Sequence, residues 1–198
     1  KCIDPNNAQW NVITPKRVIG CVVYPATEMI RPGVIKHIEG NRFSLGEPNG
    51  KQSERILKIT QALITSGLKA PIRNNIRQDI WVKIIGNLAF NPLSVITEDT
   101  LDILLSKKEN RDIAYSAMIE VKKIMNKLGV ELNISINQRI DGAAKVGAHN
   151  TSMLQDYKKG KKLELDSIVI AVKEIANLVR IDTPTIDKIL YEVEKKIL

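Results

Sequence analysis

The chain is short of the residues that build metal sites, disulfide frameworks and stacking platforms. It has two cysteines, Cys2 and Cys21, and two histidines, His37 and His149, far apart and without ligand spacing. A zinc site needs about four such ligands, so no metal is expected. So few cysteines fit a reducing, cytoplasmic setting rather than a disulfide scaffold. Aromatics are equally sparse: four Tyr, two Trp and two Phe form no cluster on which bases could stack. No uninterrupted apolar run approaches ~18 residues, which predicts no membrane-spanning helix. Residues 1–7 show neither an apolar signal core nor an initiator Met, so the chain reads as the interior of a longer one.

What is present is ordinary in bulk. At 198 residues, with 43% hydrophobic and 26% charged, the chain is long enough to bury roughly 70% of its unfolded surface without a covalent staple. The net charge is +8, from 30 Lys and Arg against 22 Asp and Glu. The basic residues are spread along helices rather than gathered into an arm, so solvated helix faces explain them better than nucleic-acid binding. The densest patch is Lys158, Lys159, Lys161 and Lys162 around Gly160. By itself it reads as a solvated turn.

The pattern predicts a mainly α protein with a small β portion. Residues 17–24 form a β-branched run without helical period, as in a strand buried on both faces. Residues 34–39 and 42–45 flank Gly40-Asn41, a two-residue hairpin signal. From residue 51 the period turns helical. A first helix runs from Ser53 to Ser66, with apolar Ile56, Ile59, Leu63 and Ile64, and stops at Gly67. A second spans 77–96 and should kink, or end and restart, at Pro92. A short helix follows at 99–105, and Ser106-Lys-Lys-Glu109 reads as a capping box opening a long helix that Gly129 closes. Weaker helical pattern covers 135–146, while residues 163–179 are Ile-, Val- and Ala-rich and central to the core. Thr183 caps a last helix with Pro184 at its first position.

Within the second helix three polar residues recur at a spacing of four. Lys83, Asn87 and Asn91 lie among Trp81, Ile84, Ile85, Leu88, Ala89 and Phe90. Side chains four apart share a helix face, so this helix carries a cation and two carboxamides in a row. Buried polar groups are costly unless satisfied; the row asks for a polar partner, from the protein or from a substrate. A second polar segment follows at 149–166: His-Asn-Thr-Ser-Met-Leu-Gln-Asp, a lysine-rich turn, then Glu164-Leu-Asp166. Each residue alone has a plainer reading. Lys83 could be a surface lysine, Ser152 the N-cap of the turn 153–157, and Glu164 a solvated carboxylate at a helix start.

Taken together and in this order, the two segments resemble the ketopantoate reductase family, over essentially the whole chain. The resemblance implies a Rossmann-type domain holding NADPH, followed by an all-helical C-terminal domain that closes over a small 2-keto acid. It makes residues 1–74 the tail of the nucleotide domain and 75–198 the substrate domain. Carried over by position, Lys83 is the lysine that protonates the keto oxygen, and Asn87, Asn91 and Ser152 bind substrate. Glu164 assists catalysis and binds on the cofactor side. Lysines 158, 159, 161 and 162, lying between Ser152 and Glu164, either approach the cofactor phosphates or form a plain solvated turn. The chemistry is sound on its own terms: hydride reduction of a 2-keto acid builds negative charge on oxygen. A lysine, with an ordinary pKa of about 10.4, is protonated at neutral pH to meet it.

The family's Gly-x-Gly-x-x-Gly fingerprint, which cradles a pyrophosphate, is absent; Gly142-Ala-Ala-Lys-Val-Gly147 has the wrong spacing. An asparagine the family uses from an earlier Asn-Gly segment also has no counterpart. The expectation is therefore a fragment that does not bind NADPH by itself. Two other readings remain at this point. One is a related 2-keto acid reductase, or D-2-hydroxyacid dehydrogenase, with the same lysine chemistry. The other is a non-catalytic dimerisation module in which Gly86, Asn87 and Ala89 permit close helix approach. An apolar stripe on 163–179 or 183–197 would support a homodimer, and a packed core explains it equally well.

Overall fold

The computed structural model describes all 198 residues. They divide into two compact units, Gln9–Ile80 and Trp81–Leu198 together with Lys1–Ala8.

The first unit contains helix α1 (Ala8–Ile13) from its second residue on, strands β1 (Gly20–Val23), β2 (Ala26–Arg31), β3 (Val34–Glu39) and β4 (Phe43–Gly46), and helix α2 (Glu54–Thr65). The strands form two separate antiparallel ribbons, β1 with β4 and β2 with β3. This overturns the hairpin expected at Gly40-Asn41, because β3 and β4 belong to different ribbons. The tight turn is Pro32-Gly33 instead, with Arg31 opposite Val34. Proline presets the first corner of such a turn, and Gly33 takes the positive φ, 77°, that the second requires. Gly40 crosses from one ribbon to the other, where the Tyr24 carbonyl oxygen would lie 3.2 Å from any Cβ.

The strand expected to be buried on both faces is not: within β1 only Val22 is buried. β4 is better covered, because residues 69–73 run beside it and donate and accept backbone bonds such as Phe43 N to Lys69 O at 2.7 Å. The small core here joins Leu45, Ile56 and Ala70. Ser53 caps α2, its hydroxyl accepting from Ile56 N at 3.3 Å. Of the four apolar positions read from the sequence only Ile56 is buried; Ile59 and Ile64 stay exposed.

A polar latch completes this unit. The buried Glu47 carboxylate accepts from Ser53 and from Arg55 Nε at 2.7 Å. Arg55 also donates to the carbonyls of Lys16 and Val18, at 2.7 and 3.2 Å. The guanidinium and then the hydroxyl hold the Glu47 carboxyl down at about 2, against a smaller opposing effect of burial.

The second unit is helical: α3 (Ile76–Thr97), α4 (Leu101–Ser106), α5 (Lys108–Lys127), α6 (Ile136–Ala144), α7 (Ser152–Lys158), α8 (Ala171–Val179) and α9 (Pro184–Ile197). The division between units falls inside α3. A π-helical turn, Asp166–Ile170, leads directly into α8. Helix α5 is the hub, packing on α4, α6, α8 and α9. It buries Ala114, Ala117, Met118, Val121, Ile124 and Met125.

Two caps differ from expectation. Ser106 does not open α5; it ends α4, and its hydroxyl donates back to Ile103 O at 2.8 Å. Because the helical turn of α4 runs through Ser106, the N-cap position of α5 falls to Lys107, which makes no side-chain cap bond. The capping box lies at Ser135 and Gln138, opening α6. Thr183 is the N-cap residue of α9, yet its hydroxyl makes no cap bond. Glu120, buried on α5, supplies the acceptor: its two oxygens take the amides of Thr185 and Ile186 at 2.8 and 3.0 Å. A carboxylate at a helix N-terminus satisfies orphan donors and the helix dipole together.

Helix α3 runs unbroken past Pro92, so the end-and-restart alternative does not hold. Counting uninterrupted apolar runs also understates this helix. By length and composition it could cross a membrane, but 61% of that stretch is buried inside the protein, as in a core helix.

Candidate functional site

The polar row on α3 descends from solvent into the core. Lys83 is exposed, Asn87 half-buried and Asn91 only 5% exposed. The rest of the helix explains why the row stays on one side: Trp81, Ile85, Leu88, Ala89 and Leu93 are all buried in the main core. Their packing fixes the rotation of α3, and with it the direction in which the row points.

One turn beyond Asn91, the fully buried Ser94 ties the row to the second polar segment. Its hydroxyl donates to Asn91 O at 2.7 Å and lies 2.6 Å from Thr151 Oγ1. Thr151 Oγ1 in turn accepts from Leu154 N at 3.1 Å. Ser94 has one hydroxyl proton and gives it to the carbonyl, so Thr151 must donate to Ser94. The resulting relay, from Leu154 N through both hydroxyls to Asn91 O, stitches the start of α7 onto α3. It brings Asn91 and Ser152 to one locus.

The same relay corrects the cap. Thr151, not Ser152, is the N-cap of α7, and Ser152 stands exposed at the first helical position. Its neighbour Asn150 buries Oδ1 without a hydrogen-bond partner. An acceptor left in that state costs about 1–3 kcal/mol, and a ligand donor would relieve it.

Glu164 is placed differently. It is exposed and precedes the π turn, and its carbonyl accepts from Ser167 Oγ at 3.3 Å. It lines a pocket of about 330 Å³ with Cys2, Ile3, Lys162, Leu163, Asp166 and Ser167. None of Lys83, Asn87, Asn91 or Ser152 lines that pocket. The four are organised by α3 and α7, whereas Glu164 belongs to the turn before α8. π turns recur at functional sites, and this one sets the direction of the chain just after Glu164. The lysines 158, 159, 161 and 162 are all exposed around Gly160. Lys161 and Lys162 pair loosely with Asp156 and Asp166 at 3.5 and 3.6 Å.

Reading the sequence missed three contributors. Ser94 and Thr151 carry the relay, and Arg139 on α6 reaches across to α3. Its guanidinium lies where a side chain at Gly86 would be, 2.0 Å from an ideal Cβ position. It also lies over the Phe90 ring, 5.4 Å from the centroid. A glycine inside a helix costs about 1 kcal/mol relative to alanine, and that cost was the available signal that something approaches Gly86.

With this geometry in view, comparison with known proteins is direct. Residues 75–196 match the family model "Ketopantoate reductase PanE/ApbA C terminal". The chain is 48% identical to the 2-dehydropantoate 2-reductase of Mesorhizobium japonicum over 193 residues, which is 98% of this chain and 59% of that one. A crystal structure from Ralstonia solanacearum, provisionally assigned as a ketopantoate reductase, superposes with a TM-score of 0.93 at 35% identity, covering 98% of this chain and 60% of that one. The 2-dehydropantoate 2-reductase of Geobacter metallireducens shares the fold, with a TM-score of 0.85 at 21% identity over 96% of this chain and 64% of its own. The chain thus spans about three fifths of the length of these relatives. The family match over residues 75–196 and the 48% identity over nearly the whole chain lead to one conclusion: this chain belongs to the ketopantoate reductase family.

Proposed function

We propose that this chain carries the substrate-binding and proton-donating part of an NADPH-dependent 2-dehydropantoate 2-reductase, which makes pantoate on the route to pantothenate and coenzyme A. The observation that carries the reading is the graded row on α3, with Lys83 exposed, Asn87 half-buried and Asn91 buried, fastened to Ser152 through Ser94 and Thr151. Lys83 stands at the solvent end, where a keto acid can enter, and holds its proton toward the keto oxygen. Asn87, Asn91 and Ser152 orient the hydroxyl and carboxylate groups, and Asn150 Oδ1 adds an acceptor for a substrate hydroxyl.

A nicotinamide cofactor supplies the hydride in such a reaction. Among the present residues only Glu164 is assigned toward it. The 198 residues contain no Gly-x-Gly-x-x-Gly turn, so its pyrophosphate has no cradle among them and no step is drawn through it. A homodimer through the helical unit belongs to the same proposal, with Leu178 and Tyr191 as exposed apolar side chains on α8 and α9.

The test is NADPH oxidation by the whole protein with ketopantoate, wild type beside Lys83→Ala. Positioned proton transfer is worth about 10²–10⁴-fold, so the variant should lose that much in kcat/KM with its fold intact. A wild type that reduces a bulky branched keto acid better than ketopantoate would move the assignment to a related 2-keto acid reductase. An unchanged Lys83→Ala rate would remove the lysine from the chemistry.

A further inference from the structure

We infer that Arg139 is a substrate-binding residue that fixes the carboxylate of the keto acid, leaving Lys83 to serve the keto oxygen alone. The inference rests on the proposed reduction of a 2-keto acid and adds a residue to it. On α3, Gly86 lies three positions after Lys83 and Phe90 three after Asn87, so both border the polar row. Arg139 comes to this border from α6. Its Nη2 occupies the space that any side chain at residue 86 would need, and its guanidinium rests over the Phe90 ring.

The backbone that carries Arg139 is fixed by the local structure. The first turn of α6 is locked by the Ser135–Gln138 capping box, and the Arg139 amide bonds back to Ser135 O at 3.0 Å. Ile136, Ile140 and Ala143, which neighbour Arg139 on α6, are buried in the core and hold the helix in place. Arg139 is half-buried, with its guanidinium against α3. Side chains three apart on a helix have Cβ atoms about 5–6 Å apart, so the guanidinium in the Gly86 notch is a near neighbour of the Lys83 side chain.

The substrate's chemistry calls for two different cations. A 2-keto acid carries a permanent carboxylate beside a carbonyl whose oxygen becomes negative only during reduction. Guanidinium stays charged at every working pH, gives up no proton, and matches a carboxylate with two parallel donors. An ammonium can release its proton. A fixed Arg139 charge at the carboxylate therefore separates binding from proton delivery.

The experiment compares ketopantoate with its neutral methyl ester, using the whole protein as wild type, Arg139→Gln, Arg139→Lys and Gly86→Ala, with thermal melting as the control for fold. Charged hydrogen bonds of this type support an expected 10- to 100-fold change, roughly. Arg139→Gln should lose that factor in kcat/KM for the acid, mostly through KM, and little for the ester. Arg139→Lys should recover part of it, and Gly86→Ala should resemble Arg139→Gln by expelling the guanidinium. If acid and ester fall in parallel, Arg139 is a packing residue and the inference is wrong while the reductase reading stands. If the wild type reduces no 2-keto acid, the reductase reading fails and this inference fails with it.

Discussion

The two units of this chain are ordered by different means, and the contrast explains where a polar row can be placed. In the helical unit, packing is continuous: Leu88, Leu104, Met118, Ile124, Met125 and Ile186 are all at 0% exposure. In residues 9–80 the buried cluster is Leu45, Ile56 and Ala70, while Met29, Ile30, Ile35 and Ile59 face outward. Order there comes from backbone ladders and from Glu47 clamped by Arg55 and Ser53. Each unit also buries one carboxylate, put to different use. Glu120 caps a helix through two backbone amides, whereas Glu47 gathers an arginine that itself holds two loop carbonyls. A helix locked into a dense core can present lysine and two asparagines along one side, because its other sides already fix its position. The same row on α2, held mainly by Ile56, would have no such support.

The largest test of the contrast is a cavity. Met118→Ala on α5 removes a fully buried side chain and should cost about 2–5 kcal/mol. Ile59→Ala on α2, already 40% exposed, should stay within about 0.5 kcal/mol. Denaturant titration followed by helical circular dichroism measures both. Equal losses would erase the distinction between the units.

A second test uses acid. The Glu47 carboxyl is held at about 2, well below its ordinary 4.5, so its ionised form is the one the folded unit favours. That contribution is fully present above the unfolded value and fades as pH falls from about 4.5 toward 2. Segment-resolved hydrogen exchange should therefore show protection of the Phe43–Gly46 amides weakening over this window, ahead of those in α5. Glu47→Gln should be less protected at neutral pH and should lose the part of the pH dependence that Glu47 carries.

The sequence made some of this legible and concealed the rest for physical reasons. Period carries local information well: the spacing of Lys83, Asn87 and Asn91, the Ser53 cap and the Ile-rich core segment all lie where the pattern puts them. Caps and pairings are competitions, and a motif does not say who wins. Ser106 matched a capping box but was taken by α4, and Gly40-Asn41 matched a hairpin but lost to Pro32-Gly33. Tertiary partners left the faintest trace. Nothing near Thr183 announces that Glu120, 65 residues away from Thr185, will cap α9. Gly86 signals an approach, but only the fold identifies Arg139.

The finest test separates two adjacent hydroxyls. Thr151 caps α7 and donates to Ser94, whereas Ser152 projects outward one residue later and takes no part in the cap. Replacing an N-cap threonine by alanine costs about 0.5–2 kcal/mol, and here the change also strips Ser94 of a donor. Thr151→Ala should accordingly lower the melting temperature and weaken substrate binding only as far as α7 loosens. Ser152→Ala should leave the melt where it is, since an exposed hydroxyl without structural bonds is worth less than about 0.5 kcal/mol. On the proposed function, its effect should appear as a raised KM for ketopantoate. Should Ser152→Ala destabilise the protein as much as Thr151→Ala, the division of labour between them is wrong, and Ser152 returns to being part of the helix start.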